Sequence, residues 1–456
     1  MEITNFVNDK IVSIENFEFE TSIGKHDSCE FLALIREKDI GNFQNLLNKN
    51  CGLKYNNFNW SGIITESEII RYVEGVYVRV HIAGLTILHD KICHNRIFQQ
   101  PKKTVYDIFG ALNLNNASID GSMKKAEVQN IQIQKNETDF NFLKRLADLL
   151  DTNFFALSQD VLKFVVGNFI SDTPKNIDKN KAKIWRQVEN ETGCFIVIST
   201  EEDLNVGDQI IFDGKNYILE RKRIVKETSN FIQYYYIKEL KENNATSPIS
   251  ESILSAKVVE NNDPEKLGRI QVEFLPPFED VLTNERIWIQ MSSNYSSDEN
   301  GLIFIPNIGD EVFVHLKNGI GSYFNAIRDK KIAAPFDTPD KKYLIWGKNQ
   351  YLEFSDEALK IQNENSVIRI EKDKIEISVD KKNKIKIDKS AIIFSVSDSQ
   401  VKLEAEKILS AVKNTAVELS DELKIKSGNI SVKSSAKTEI SARSVQIDGK
   451  GGVNIN

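Results

Sequence analysis

Cysteine, proline and tryptophan are scarce in this chain of 456 residues, and long apolar runs are missing altogether. The four cysteines, Cys29, Cys51, Cys93 and Cys194, form no Cys-x-x-Cys pair and all lie in the first 200 residues. Scattered thiols in a chain this long fit a reducing compartment rather than a disulfide framework. Cys93-His94, with His89 nearby, invites a metal reading, but no second ligand cluster accompanies it. The five histidines (His26, His81, His89, His94, His315) are dispersed. Gly-x-Ser-x-Gly, His-Glu-x-x-His and the phosphate-binding glycine loop are all missing. No catalytic residue, cofactor or metal is therefore expected, and the chain reads as a non-enzyme. No stretch approaches the roughly 18–20 apolar residues of a membrane span. The N-terminus, MEITNFVNDKIVSIENFEFE, is mixed and acidic and lacks the order of a secretory signal. Synthesis in the cytoplasm is the expectation. A formal charge of −7, with lysine interleaved with Glu and Asp, argues against a nucleic-acid surface, which needs clustered cations.

What is present is unevenly distributed. All nine prolines fall at or before Pro339, all four tryptophans at or before Trp346, and Phe394 is the one aromatic residue beyond Phe354. The last hundred or so residues repeat a short unit of apolar, polar, apolar and then a polar turn. Toward the end the apolar pairs are Leu423/Ile425, Ile430/Val432, Thr438/Ile440, Val445/Ile447 and Val453/Ile455. Earlier members are Ile368/Ile370, Ile375/Ile377, Ile385/Ile387, Val401/Leu403 and Val417/Leu419. Alternation at period two means strands with one buried and one wet face. An antiparallel hairpin array would carry Asn-Gly or Asp-Gly turns, and this region has one only at Asp448-Gly449. The expectation is instead a β-helical prism of stacked rungs. Two apolar residues per rung are too few for one chain to enclose, whereas three chains give a ring of six. The expected trimer core is Leu423, Ile425, Ile430, Val432, Ile440, Val445 and Ile447. A monomeric solenoid is the alternative. At about 4.7 Å per rung, roughly fourteen rungs would make a rod of roughly 65 Å.

Upstream, Leu254–Glu260, Arg269–Phe274, Arg286–Met291, Gly301–Ile305 and Glu311–Leu316 read as five short strands, with turns at Asn261–Gly268 and Pro306–Asp310. This suits a small Greek-key barrel of the OB type. The first 245 residues mix helices and strands. Asp39 is placed to cap a short helix carrying Phe43, Leu46 and Leu47. Thr104 precedes Val105, Ile108, Phe109 and Leu112, one helical face. Asn136–Leu150 turns Phe140, Leu143, Ala147 and Leu150 inward. Asp213-Gly214 joins two strands. Glu137 and Asp139 are paired acids of a type used by glycosidases, but at a helix start the dipole favours negative charge in any case.

The string VENNDPEKLGRIQV, then WI, then FIPNIGDEVFVHLKNG, resembles the OB domain of the VgrG proteins of type VI secretion and of phage tail spikes. IQKNETDFNFLKRLADLL and FQQPKKTVYDIF are similar to stretches of the hub region of the same family. The resemblance implies three domains: a tail hub of two barrel-like subdomains at 1–247, an OB barrel at 248–339, and an intertwined trimeric β-helix at 340–456. The implied fold class is mainly β with some α. The implied function is the homotrimeric central spike of a contractile injection system, linking the tube and baseplate to a membrane-puncturing tip and aiding effector delivery. Implied partners are an Hcp-like inner tube, baseplate proteins, secreted effectors and a PAAR-like tip protein on Val453, Asn454, Ile455 and Asn456. The target membrane is met only transiently. Such a spike is assembled in the cytoplasm and leaves it on firing. A phage tail, R-type bacteriocin or extracellular injection particle uses the same kind of part. A carbohydrate-binding β-solenoid adhesin is the reading outside this class.

Overall fold

The computed structural model describes residues 2–55, 58–115, 117–158, 162–190, 193–240, 251–293, 303–326, 340–405, 408–411, 426 and 428–448. Two compact units divide the chain, Met1–Ala333 and Ala334–Asn456.

The first unit is built on a large sheet. Its strands follow the order Glu2–Thr4, Asn50–Tyr55, Phe58–Tyr72, Gly75–Gly84, Ser28–Ile35, Ile11–Ser22, Lys215–Glu227, Asn230–Glu239, Gly193–Ser199 and Ile184–Asn190. Asp208–Phe212 branches from Lys215–Glu227 and pairs in parallel with Ser171–Ile177. Period-two burial explains the pairing. Cys29, Phe31, Ala33 and Ile35 face inward from one strand, and Val76, Val78, Val80 and Ile82 from its neighbour. Two separate cores lie along this sheet. Phe17, Phe19, Phe31 and Trp60 centre one, and Ile210, Phe212, Leu219 and Tyr235 centre the other. The two cores share one continuous sheet, carried across by the pairing of Lys215–Glu227 with Ile11–Ser22.

A third core holds the two helices. Val105–Leu112 (α1) starts at Thr104, whose side chain accepts from the Asp107 amide while Asp107 accepts from the Thr104 amide. This reciprocal cap satisfies two donors that helix geometry leaves orphaned. Val105, Ile108, Phe109 and Leu112 are buried, as their spacing predicts. Asp139–Leu149 (α2) starts at Thr138 rather than Asn136, because the strand Gln132–Thr138 runs to its cap. Phe140, Leu143 and Ala147 are buried and Leu150 is partly so. Asp39 lies inside a 3-10 turn, Glu37–Phe43, and caps no α-helix. Phe43 and Leu46 are buried there, but Leu47 is exposed.

The barrel strands are Glu251–Glu260, Gln271–Phe274, Gln290–Met291, Glu311–Lys317 and Ile320–Ala326. A single antiparallel bridge, Ile270 with Ile289, joins the outer strands of this sheet. The expected strand at 301–305 is not formed at the described residues 303–305. The remaining strand is Ile320–Ala326, folded back by the turn at Asn318-Gly319, both with positive φ. An Asn-Gly pair between apolar runs is a hairpin signal.

In the second unit, nine strands from Lys342–Gly347 to Ile408–Ala411 pair in chain order, every neighbour antiparallel. The stacked-rung expectation is corrected over this stretch, which is a meander within one chain. Missing Asn-Gly turns misled because other chemistry closes the hairpins. Glu364 and Ser397 take left-handed backbone in two-residue turns. Asp380 accepts from the Lys382 and Asn383 amides at 2.7 Å each. Asp388 accepts from the Ser390 and Ala391 amides at 2.9 and 3.0 Å. Asx turns of this kind replace the glycine route.

Candidate assembly surfaces

The meander presents one continuous apolar face. Register carries one apolar column across it: Leu344, Leu352, Ile361, Ile368, Ile377, Ile385, Phe394 and Val401, each opposite the next. Two residues along on the same face runs a second: Phe354, Leu359, Ile370, Ile375, Ile387, Ile392 and Leu403. The opposite face carries Glu353, Lys360, Arg369, Glu376 and Lys386, again in register, interspersed with Tyr351, Val367 and Ile393. Ion pairs along single strands add to it, Lys374–Glu376 and Lys386–Asp388 at 2.8 Å each. Among the described residues the apolar face is covered only in part: Leu344 is 48 % and Phe394 42 % exposed, while Leu352, Leu359, Ile375, Ile385 and Leu403 are half-buried. A contiguous apolar face left partly in water marks an interaction surface.

The expected trimer core lies further on. Ile430, Val432, Ile440, Val445 and Ile447 are described, carry no strand, and are 52–73 % exposed. A single chain does not bring them together. Leu423, Ile425 and the expected tip residues Val453, Asn454, Ile455 and Asn456 lie outside the described residues. Sequence reasoning noticed several meander pairs but chose the later, more regular repeat. Column partners such as Leu352 and Ile361 were detectable by the same alternation.

A second surface joins the barrel to the rest of the first unit. Glu279–Val281, a barrel-segment strand, pairs in parallel with Arg96–Phe98. Beside it, buried Gln99 donates to the Val272 carbonyl at 3.0 Å and to Asp280 Oδ2 at 2.9 Å. Asp280 also accepts from the Phe274 amide at 3.0 Å, and burial raises its carboxyl above the ordinary range. On the other side the Ile131 amide donates to the Gly319 carbonyl at 3.0 Å, and Asn130 Nδ2 to Asn318 O at 3.3 Å. Beneath that loop Lys103 is fully buried; its ammonium donates to the Gln100 carbonyl at 3.1 Å and to the Asn130 carbonyl. Ile97 and Ile131 complete the barrel core with Val258, Val272 and Val314. Gln99 and Lys103 had no sequence signal, since a lysine in Pro-Lys-Lys-Thr reads as solvated.

The paired acids are structural in geometry. Asp139 accepts from Arg96 Nη1 at 2.7 Å and Gln134 Nε2 at 2.9 Å. Glu137 is held by Arg145 through Nε at 3.0 Å and Nη2 at 2.8 Å. Each carboxylate thus has its own arginine, which holds the start of α2. Asp139 borders a cleft of about 750 Å³ with His89, His94, Leu88 and Ile92. Burial pushes the His89 imidazole below its usual range. Cys93 and His94 gain no further ligand: among the described residues no three His, Cys, Asp or Glu side chains are grouped to hold a metal ion.

Residues 254–322 match the family model of the type VI secretion system/phage-baseplate injector OB domain. Among solved structures, the chain is similar to the E. coli c3393 protein, described as a type VI secretion component with structural similarity to T4 tail proteins gp27 and gp5. That match has 12 % identity and a TM-score of 0.52, over 72 % of this chain and 99 % of that one. It is also similar to a chain of the lidded Francisella PdpA–VgrG complex, at 10 % identity and a TM-score of 0.51, over 84 % of this chain and 76 % of that one. The half-lidded form of the same complex gives 11 % and 0.50, over 84 % and 83 %. At these identities the likeness is one of fold. No curated protein matches.

Proposed function

With a VgrG-like fold and a baseplate-injector barrel as its premise, we propose that this chain is one protomer of the homotrimeric central spike of a contractile injection system. The observation that carries the reading is the meander's uncovered apolar face. Two apolar columns on each of three sheets give every layer six side chains to bury. Closed threefold symmetry leaves no copy of the face exposed. At about 25 cal/mol per Å² of apolar surface buried, so long a face is a strong drive to associate. The faces that carry Lys360, Arg369, Glu376 and Lys386 then point outward.

In this role the chain transmits contraction force and supplies no chemistry of its own. Its first unit meets an inner tube and baseplate. Val453–Asn456 would carry a small tip protein, and effectors would ride on the spike. It is assembled in the cytoplasm and expelled on firing. Light scattering of the purified chain tests the central claim. A mass of three times 51.9 kDa is expected; a monomer or dimer overturns it. A peptidoglycan-hydrolysis assay should read blank, and turnover would restore an enzymatic reading.

A further inference from the structure

A cavity of about 260 Å³ opens where the large sheet meets the antiparallel pair Asn153–Ser158 and Leu162–Gly167. Its walls are apolar, formed by Phe19, Leu157, Ile170 and Val206. Its floor is not. Asp27 and Ser158 are buried side by side there, since a Cβ on Gly84 would meet Ser158 Oγ at 2.4 Å and Asp27 Cβ at 3.2 Å. The Trp60 indole donates to Asp27 Oδ2 at 3.0 Å. Thr21 and Ser158 lie close enough to favour the carboxylate, yet Asp27 Oδ1 and Ser158 Oγ make no hydrogen bond to a described residue. A buried carboxylate oxygen without a donor is costly, so the space beside it suits a donor from outside the chain.

The lysines nearby do not supply that donor. Lys222 donates to the Leu204 carbonyl at 3.1 Å and pairs with Asp203 at 3.4 Å. Lys163, at the open end with Asn59 and Asn205, pairs with Asp120 at 3.0 Å. Each ammonium thus serves another carboxylate. What is left is an acid at the bottom of an apolar shaft. Water alone would satisfy the floor and leave the walls wet. A neutral alcohol would suit the walls and Ser158 but not the charge, and an anion would meet repulsion from Asp27. At about 30 Å³ per water-sized group, the space takes on the order of nine non-hydrogen atoms.

We propose that this cavity binds a primary ammonium on a short alkyl stem, with Asp27 Oδ1 and Ser158 Oγ accepting from the ammonium and the four apolar side chains around the stem. Two sources carry that chemistry, a free amine and the lysine side chain of a partner protein. The site lies within the first unit of one chain and stands independently of the homotrimer reading.

Calorimetric titration of the full-length protein at about pH 7.5, above the carboxyl's pKa of about 6, tests it. The probes are n-butylamine, n-butanol and the blocked tripeptide acetyl-Gly-Lys-Gly-amide. Wild type should bind n-butylamine about ten-fold or more tighter than n-butanol. Asp27→Asn should weaken amine binding by about ten-fold or more. Leu157→Phe, which narrows the shaft and leaves the floor intact, should weaken it by a similar factor. A tripeptide bound at least as tightly as n-butylamine assigns the site to a partner's lysine, whereas n-butylamine bound without the tripeptide assigns it to a free amine. Failure of both to bind, an alcohol bound as tightly as the amine, or either variant binding like wild type would overturn the proposal. Should Asp27→Asn not fold, the amine and alcohol titrations of wild type and Leu157→Phe still decide.

Discussion

Asp27 shows how much a single buried carboxyl can matter. It is 4 % exposed, borders a cavity of about 260 Å³ with Lys163 and Lys222, and accepts from Trp60 Nε1 at 3.0 Å. Burial pushes its pKa from 3.8 up to about 6, although the Thr21, Trp60 and Ser158 groups pull the other way. Because the folded-state value lies above the unfolded one, its contribution is fully present below about pH 4 and is lost as pH rises through 6. The stability of wild type relative to Asp27→Asn should therefore fall by about 2 kcal/mol between pH 4 and pH 7. Paired denaturant titrations at the two pH values check this, and a flat difference would mean the carboxyl is solvated. At this scale the sequence was legible where a residue acts on its neighbours. Thr104 and Asp107 stand three apart and cap α1. Asp263, Leu267 and Arg269 lie within one turn, where Asp263 accepts from the Leu267 amide at 2.8 Å and from Arg269 Nη2 at 2.7 Å. Asp27 was not legible, because its burial depends on Gly84 and Ser158, far along the chain.

Among elements, the hairpin at Asn318-Gly319 carries the most consequence for its size. Its tip meets the 130–131 loop so closely that a Cβ on Gly319 would sit 2.2 Å from the Ile131 carbonyl oxygen, at a φ of +73°. Gly319→Ala should cost about 2–4 kcal/mol, the sum of left-handed strain and the forced shift. Gln99→Leu should cost about 1–3 kcal/mol, because it removes one donor from the Val272 carbonyl and leaves the buried Asp280 Oδ2 with the Phe274 amide. Calorimetry checks both. The joint also makes a sharper statement: barrel and helical core should melt in one transition, and Gly319→Ala should begin to separate them. The hairpin signal stood in the sequence as Asn-Gly between apolar runs, whereas the parallel pairing of Glu279–Val281 with Arg96–Phe98 did not. Strands about 180 residues apart leave no local trace of having met.

For the molecule as a whole, the change of composition near residue 340 was legible because a sheet with one dry face needs alternation and little else. Strand direction was not, since period two is the same for rungs and hairpins. Asx turns at Asp380 and Asp388 decided it, and aspartate is common enough in solvated loops to pass unnoticed. The mass measurement belongs to this scale, and so does its salt dependence. If apolar layers hold the copies together, raising salt should leave the trimer intact, because screening weakens only the exposed charge pairs. Dissociation above about 0.5 M salt would point to those pairs as the glue instead.

The up-and-down path of the meander bears finally on how such a protein changes length over generations. Losing or gaining two adjacent strands returns the chain travelling the same way with the same face inward. Losing one strand reverses its heading, and a slip of a single residue turns every isoleucine toward water. Length should therefore be inherited in steps of one hairpin. Reach then varies freely between lineages while the cross-section stays fixed.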